Sequence, residues 1–109
     1  MDHRPPERDW KVFREVRKLA LERLCDRVLE EATAVIEDTS KTSHERFLGL
    51  FDVLGERNQE VARGFDDPKR STMIFQLAFI QLLGLLEPEE LARFSESTRD
   101  TLETLAQLR

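Results

Sequence analysis

From Trp10 to Glu37 no proline or glycine interrupts the chain, and apolar residues recur at helical spacing. Apolar residues at i, i+3, i+4 and i+7 share one face of a helix, whereas a half-buried strand needs strict alternation. The spacing therefore predicts one long helix over 10–37. It also poses a packing problem. Leu21, Leu24, Cys25, Val28, Leu29, Ala32, Val35 and Ile36 fall on one broad arc at ~100° per residue. Val12, Val16 and Leu19 form a second stripe on roughly the opposite side, widened by Trp10 and Phe13. One straight helix on one core cannot bury both. Either the helix kinks near 18–21, or the C-terminal helix wraps its first half, or a second subunit covers the stripe.

The rest of the chain also reads as helical. Asp9 is a candidate N-cap for the first helix. Thr42-Ser43-His44-Glu45 has the form of a capping box, so a second helix starts there and runs to about Arg63, with Gly64 as its C-cap. Its apolar stripe is Phe47, Leu50, Phe51, Leu54, Val61 and Phe65. Asp67-Pro68 pairs an N-cap residue with a proline at the first helical position, predicting a third helix from Pro68 to about Gly84. That helix is apolar all round, and so is expected to be central and buried. Pro88 opens a short fourth helix. Ser95 caps a fifth, with Leu102, Leu105 and Leu108 facing inward. The expected fold is all-α: a compact bundle of about five helices, with residues 1–8 a disordered leader and 9–109 a single helical domain.

Leu, Glu, Arg and Ala dominate the composition, all of them good helix formers. The net charge of −5 argues against a dedicated nucleic-acid binder, since phosphate contacts need a basic footprint. Acidic residues outnumber Arg93 and Arg99 from Glu87 onward, which reads as a solvated face or a docking surface for a basic partner. The N-terminus lacks the apolar stretch of a secretory signal, and the run 73–86 is too short to span a bilayer. One cysteine excludes an intrachain disulfide and fits a reducing compartment. The expected location is cytoplasmic.

Signals for chemistry are few. His3 and His44 form no metal-ligand spacing, and no metal or cofactor is expected. Glu56, Glu60 and Asp66 are the carboxylates an enzyme would use, but Arg57 and Arg63 among them suit a solvated salt-bridge face. Cys25, within an apolar arc, reads as a small hydrophobe. Gly49 and Gly55, inside the second helix, mark close backbone approach. Arg63, Lys69 and Arg70 flank the start of the third helix, where an anion would compete with the Asp67 cap. Asn58 falls on an apolar stripe, with Gln76 and Gln81 as candidate partners in a polar core or pocket.

The leading expectation is a non-enzymatic helical interaction module that self-associates as a homodimer. Trp10, Val12, Phe13, Val16 and Leu19 form its expected interface, and a further protein partner is possible. A small-molecule pocket near Asn58 is the alternative, and a carboxylate enzyme a third.

Overall fold

The computed structural model describes residues 5–108. The rest of the expected leader, residues 1–4 with His3, lies outside the described residues, as does residue 109. The elements are α1 (Glu7–Glu37), α2 (Ser43–Phe65), a 3-10 turn (Arg70–Thr72), α3 (Met73–Leu82), α4 (Pro88–Leu91) and α5 (Glu96–Gln107). Among the described residues there is no strand, and the fold is an all-α bundle.

α1 begins three residues earlier than expected. Pro6 is its N-cap, so Glu7 and Arg8 are helical rather than leader. Arg70 holds this start in place, pairing with Glu7 at 3.0 Å and donating to the Pro5 carbonyl at 2.7 Å. Asp9 is not the cap. It is fully buried and reaches across to the start of α5, accepting from the Ser95 amide (2.8 Å), the Ser95 hydroxyl (2.6 Å) and the Thr98 hydroxyl (2.6 Å). Burial pushes the Asp9 carboxyl up. The hydrogen bonds from Ser95 and Thr98 outweigh that and hold it below its usual value.

The capping box on α2 forms as expected: Thr42 Oγ1 accepts from the Glu45 amide, and Glu45 Oε1 from the Thr42 amide. Gly64 is not a C-cap. It lies inside α2, where a Cβ would sit 3.0 Å from the Phe79 ring, so it lets α3 approach closely. Pro68 does not open α3 either. Asp67 takes a left-handed φ of 46° and pairs with Lys69, Lys69 is extended, and the helix follows only after the 3-10 turn. The residue before a proline is biased away from helical geometry, and Gln76 Nε2 donates to the Asp66 carbonyl at 2.8 Å, tying that irregular corner to α3.

α3 ends as its glycine foretells. The Leu85 amide donates to Ile80, the Gly84 amide donates to Gln81, and Gly84 sits at φ 71°, the geometry of a Schellman motif. α3 contacts α1, α2 and α5, so it is central, but it is not buried all round. Phe75 and Leu82 are exposed, because its neighbours leave one side open. Ser95 caps α5 as expected, and Leu102 is buried, whereas Leu108 is exposed.

One core unites these elements: Phe13, Val16, Phe65, Met73, Leu77, Ile80, Leu85, Phe94 and Leu102 belong to a single cluster. Arginines of α1 fasten it. Arg23 grips Glu90 with two bonds of 2.6 and 2.8 Å and donates to the Leu85 carbonyl, and Arg27 donates to the carbonyls of Leu83 and Gly84. These are carbonyls at and just beyond the C-terminal end of α3, which a helix cannot satisfy by itself. The Arg23 guanidinium holds the Glu90 carboxyl below its usual range against the opposing effect of burial.

Candidate interaction face

The core does not extend along the whole molecule. The chain measures 57 × 26 × 25 Å. The buried residues of α1 cluster between Asp9 and Leu24, and beyond Leu24 only Ala32 is buried on that helix. The distal halves of α1 and α2 therefore leave the head as a two-helix arm, closed by the turn at 38–42.

This distribution removes three of the five expected interface residues from the surface. Val12, Phe13 and Val16 are buried in the chain's own core beside Phe94 and Leu102, so they have no surface to offer a second subunit. Trp10 is half-buried and stacks on Phe13 with ring centroids 5.7 Å apart. Leu19 is about half exposed, at the margin of that stripe. The sequence stripe was real, but α3, α4 and α5 fold back over it.

The opposite arc is the one left open. Leu29 is 63% exposed, Phe47 64% and Phe51 71%; Ile36, Leu48 and Leu54 are also exposed. The cause lies in how the arm's two helices meet. α2 turns its Gly49, Val53 and Arg57 side toward α1. A Cβ on Gly49 would be 3.3 Å from Val35, Arg57 pairs with Glu31 at 3.1 Å, and Arg46 donates to the Ile36 carbonyl at 2.6 Å. Projected at ~100° per residue, Phe47, Phe51 and Leu54 stand roughly 100–160° from that seam. Leu29 and Ile36 are rotated from the α1 seam in the matching sense. Both stripes thus emerge on one side of the arm.

Between them runs an open groove of about 610 Å³, lined by Cys25, Val28, Leu29, Phe51, Leu54, Gly55, Arg57, Asn58 and Val61. At the tip, Asp38 accepts from the Ser40 hydroxyl and amide, which hold its carboxyl below the usual value. The Thr42 amide does the same for Glu45. Polar bonds thereby hold the turn that joins the two helices of the arm.

The expected polar cluster does not assemble. Asn58 is exposed at the edge of the arm groove. Gln76 is buried on α3 at the α2–α3 corner, where it lines a different cavity of about 480 Å³ with Arg63, Lys69, Phe75 and Phe79. Gln81 is half-buried on α3 and lines neither. Gln76 Oε1 and Gln81 Oε1 are buried without a hydrogen-bond partner. Arg63 lies over the Phe79 ring at 4.3 Å, a cation–π contact that helps close the corner.

The candidate enzyme carboxylates do not converge. Glu56 and Glu60 both pair with Arg57, while Asp66 is exposed at the α2–α3 corner. Among the described residues no group of three His, Cys, Asp or Glu side chains is placed to hold a metal, and no helix is long and apolar enough to cross a membrane. Cys25 is half-buried at the base of the arm groove. The sequence reading missed the arm face because its apolar residues were assigned to the core. Gly49, a close-approach glycine on the side of α2 away from Phe47 and Phe51, was the available signal. Comparison with protein-family models, with curated proteins and with solved structures finds no match to this chain.

Proposed function

We propose that this protein is a helical interaction module that self-associates through the apolar face of its α1–α2 arm. The observation that carries the reading is the continuous exposure of Leu29, Ile36, Phe47, Phe51 and Leu54 on one side of a two-helix hairpin. Contiguous apolar surface on a small protein marks an interaction site, and an antiparallel hairpin with one apolar side is half of a four-helix bundle.

Magnitudes favour an occupied face. A phenylalanine buries roughly 150–250 Å². At about 25 cal/mol per Å², the exposed parts of Phe47 and Phe51 forgo on the order of 5–8 kcal/mol of transfer free energy. In a symmetric pair this doubles, to a gain comparable with the roughly 4–15 kcal/mol cost of association, before Leu29, Ile36 and Leu54 contribute.

Sedimentation velocity from about 1 to 300 μM tests the proposal. A dimer is expected within that range, and Phe51→Glu is expected to abolish it while leaving the helical circular dichroism unchanged. A wild-type monomer throughout the series contradicts it. A second reading rests on the cavity at the α2–α3 corner, where the unpartnered Gln76 Oε1 suits a small ligand carrying a hydrogen-bond donor. A metabolite that raises the melting temperature of wild type, but not of Gln76→Leu, is its expected signature.

A further inference from the structure

We infer that two copies pair with their arms parallel, tips together, so that α1 of each copy lies across α2 of the other. This rests on the self-association proposed above and specifies its geometry. A face-to-face pairing of two hairpins has two two-fold solutions. An axis running across the arms sets α1 on the second α1 and α2 on the second α2, with the arms antiparallel. An axis running along the arms sets each α1 on the other copy's α2, with the arms parallel.

Size decides first. The apolar side of the arm is uneven: α2 carries two phenylalanines, Phe47 and Phe51, with Leu54, while α1 carries only the smaller Cys25, Leu29, Ile36 and the buried Ala32. Interdigitating layers set large residues against small ones. Pairing like helices opposes phenylalanines to phenylalanines and leaves the smaller side chains of the two α1 stripes facing each other. Pairing unlike helices seats each phenylalanine row over a row of smaller side chains.

Charge decides the same way. At ~100° per residue, the outer margin of the α1 stripe carries Glu22, Asp26, Glu30 and Glu37, all exposed. The outer margin of the α2 stripe carries His44, Leu48, Gly55, Gln59 and Ala62, with Asp52 at its far edge as the one carboxylate. Pairing like helices brings two acidic margins together, and like-charge juxtaposition costs several kcal/mol. Pairing unlike helices lays each margin of four carboxylates along one that carries a single carboxylate at its edge. The heads permit this arrangement: the core side of α1, marked by Val12, Phe13, Val16 and Ala20, points roughly opposite to Leu29 and Ile36, so α3, α4 and α5 lie behind the pairing plane.

Small-angle X-ray scattering on the full chain, at a concentration where sedimentation shows the dimer, distinguishes the two solutions. Parallel arms keep the longest dimension close to the 57 Å of one chain. Antiparallel arms overlapping over 25–37 extend it to on the order of 90 Å, at 1.5 Å per residue of overlap. A second measurement is the dimer constant of Asp26→Asn/Glu30→Gln. Parallel arms predict a change of less than about threefold, whereas antiparallel arms predict a tightening of about tenfold or more as paired acidic margins are relieved. A long dimer, or that tightening, overturns the arrangement and leaves self-association standing. A monomer at all concentrations overturns both.

Discussion

The two halves of α1 are built from the same residue types and do opposite things. The proximal half turns Val12, Phe13, Val16, Ala20 and Leu24 into the core. The distal half leaves Leu29 and Ile36 in the open, and α2 beside it leaves Phe47 and Phe51. Apolar content does not separate them. What separates them is the supply of neighbours: α3, α4 and α5 meet only the proximal half, and α2 meets the distal half through Gly49, Val53 and Arg57 rather than through its phenylalanines. An apolar face is buried when the chain brings something to it, and a two-helix arm has nothing further to bring.

The strongest test of this contrast substitutes phenylalanine in each region. Phe13→Ala in the head removes a fully buried ring and is expected to cost about 3–5 kcal/mol. Phe51→Ala in the arm is expected to change the stability of the dilute monomer by no more than about 0.5 kcal/mol. Urea denaturation at low concentration measures both. Similar losses in the two variants would mean that the arm is integrated into the core, and the comparison would collapse.

Asp9 provides the next largest effect. Asp9→Ala removes a buried acceptor and strands Ser95 and Thr98 at the start of α5, an expected cost of about 2–4 kcal/mol. Because the folded carboxyl is held below its unfolded value of about 4, its contribution is present above that pH and is lost as the pH falls through the folded pKa. Glu90, lowered by Arg23, acts in the same direction. Urea midpoints should therefore fall below about pH 4 in wild type, and less steeply in Asp9→Asn. Both groups anchor the head, so acid should loosen α4 and α5, a change that amide hydrogen exchange can follow, while Asp38 and Glu45, also held low, weaken the tip of the arm in the same direction. An equally steep acid loss in Asp9→Asn would remove Asp9 from this account. Gly84→Ala, forcing a side chain onto φ 71°, should cost about 1 kcal/mol through the same end of α3.

The legibility of the sequence followed the range of the interaction. Thr42 with Glu45, Pro88, Ser95 and Gly84 act within a few residues of themselves, and each was readable. Asp9 was misread because a local cap and a carboxylate reaching Ser95, far along the chain, look identical in sequence. Asp67-Pro68 was misread because the corner is set by the Gln76 bond to the Asp66 carbonyl and by the 3-10 turn. The two apolar faces of α1 were legible as faces. Which one the chain would cover depended on where α3 and α5 packed, and no periodicity encodes that. Asn58 lines the arm groove with Phe51 and Leu54 but is exposed, because stripe membership implies burial only where a neighbour covers the stripe.

The smallest expected effect separates arm from head most finely. Gly55 lies inside α2, lines the arm groove, and would place a Cβ with nothing within 4 Å. Within the single chain, Gly55→Ala therefore gains helix propensity without a clash and should stabilise by up to about 1 kcal/mol. In the dimer the same methyl enters the margin where α2 meets the second copy's α1, and a well-packed contact answers added volume with about 1–3 kcal/mol of strain. The signs of the two effects are opposite. Melting temperature at low concentration should rise while the dimer dissociates about tenfold more readily in sedimentation. If both stability and dimerisation improve, the second copy does not sit along that margin, and the exposed phenylalanines must be covered from another direction.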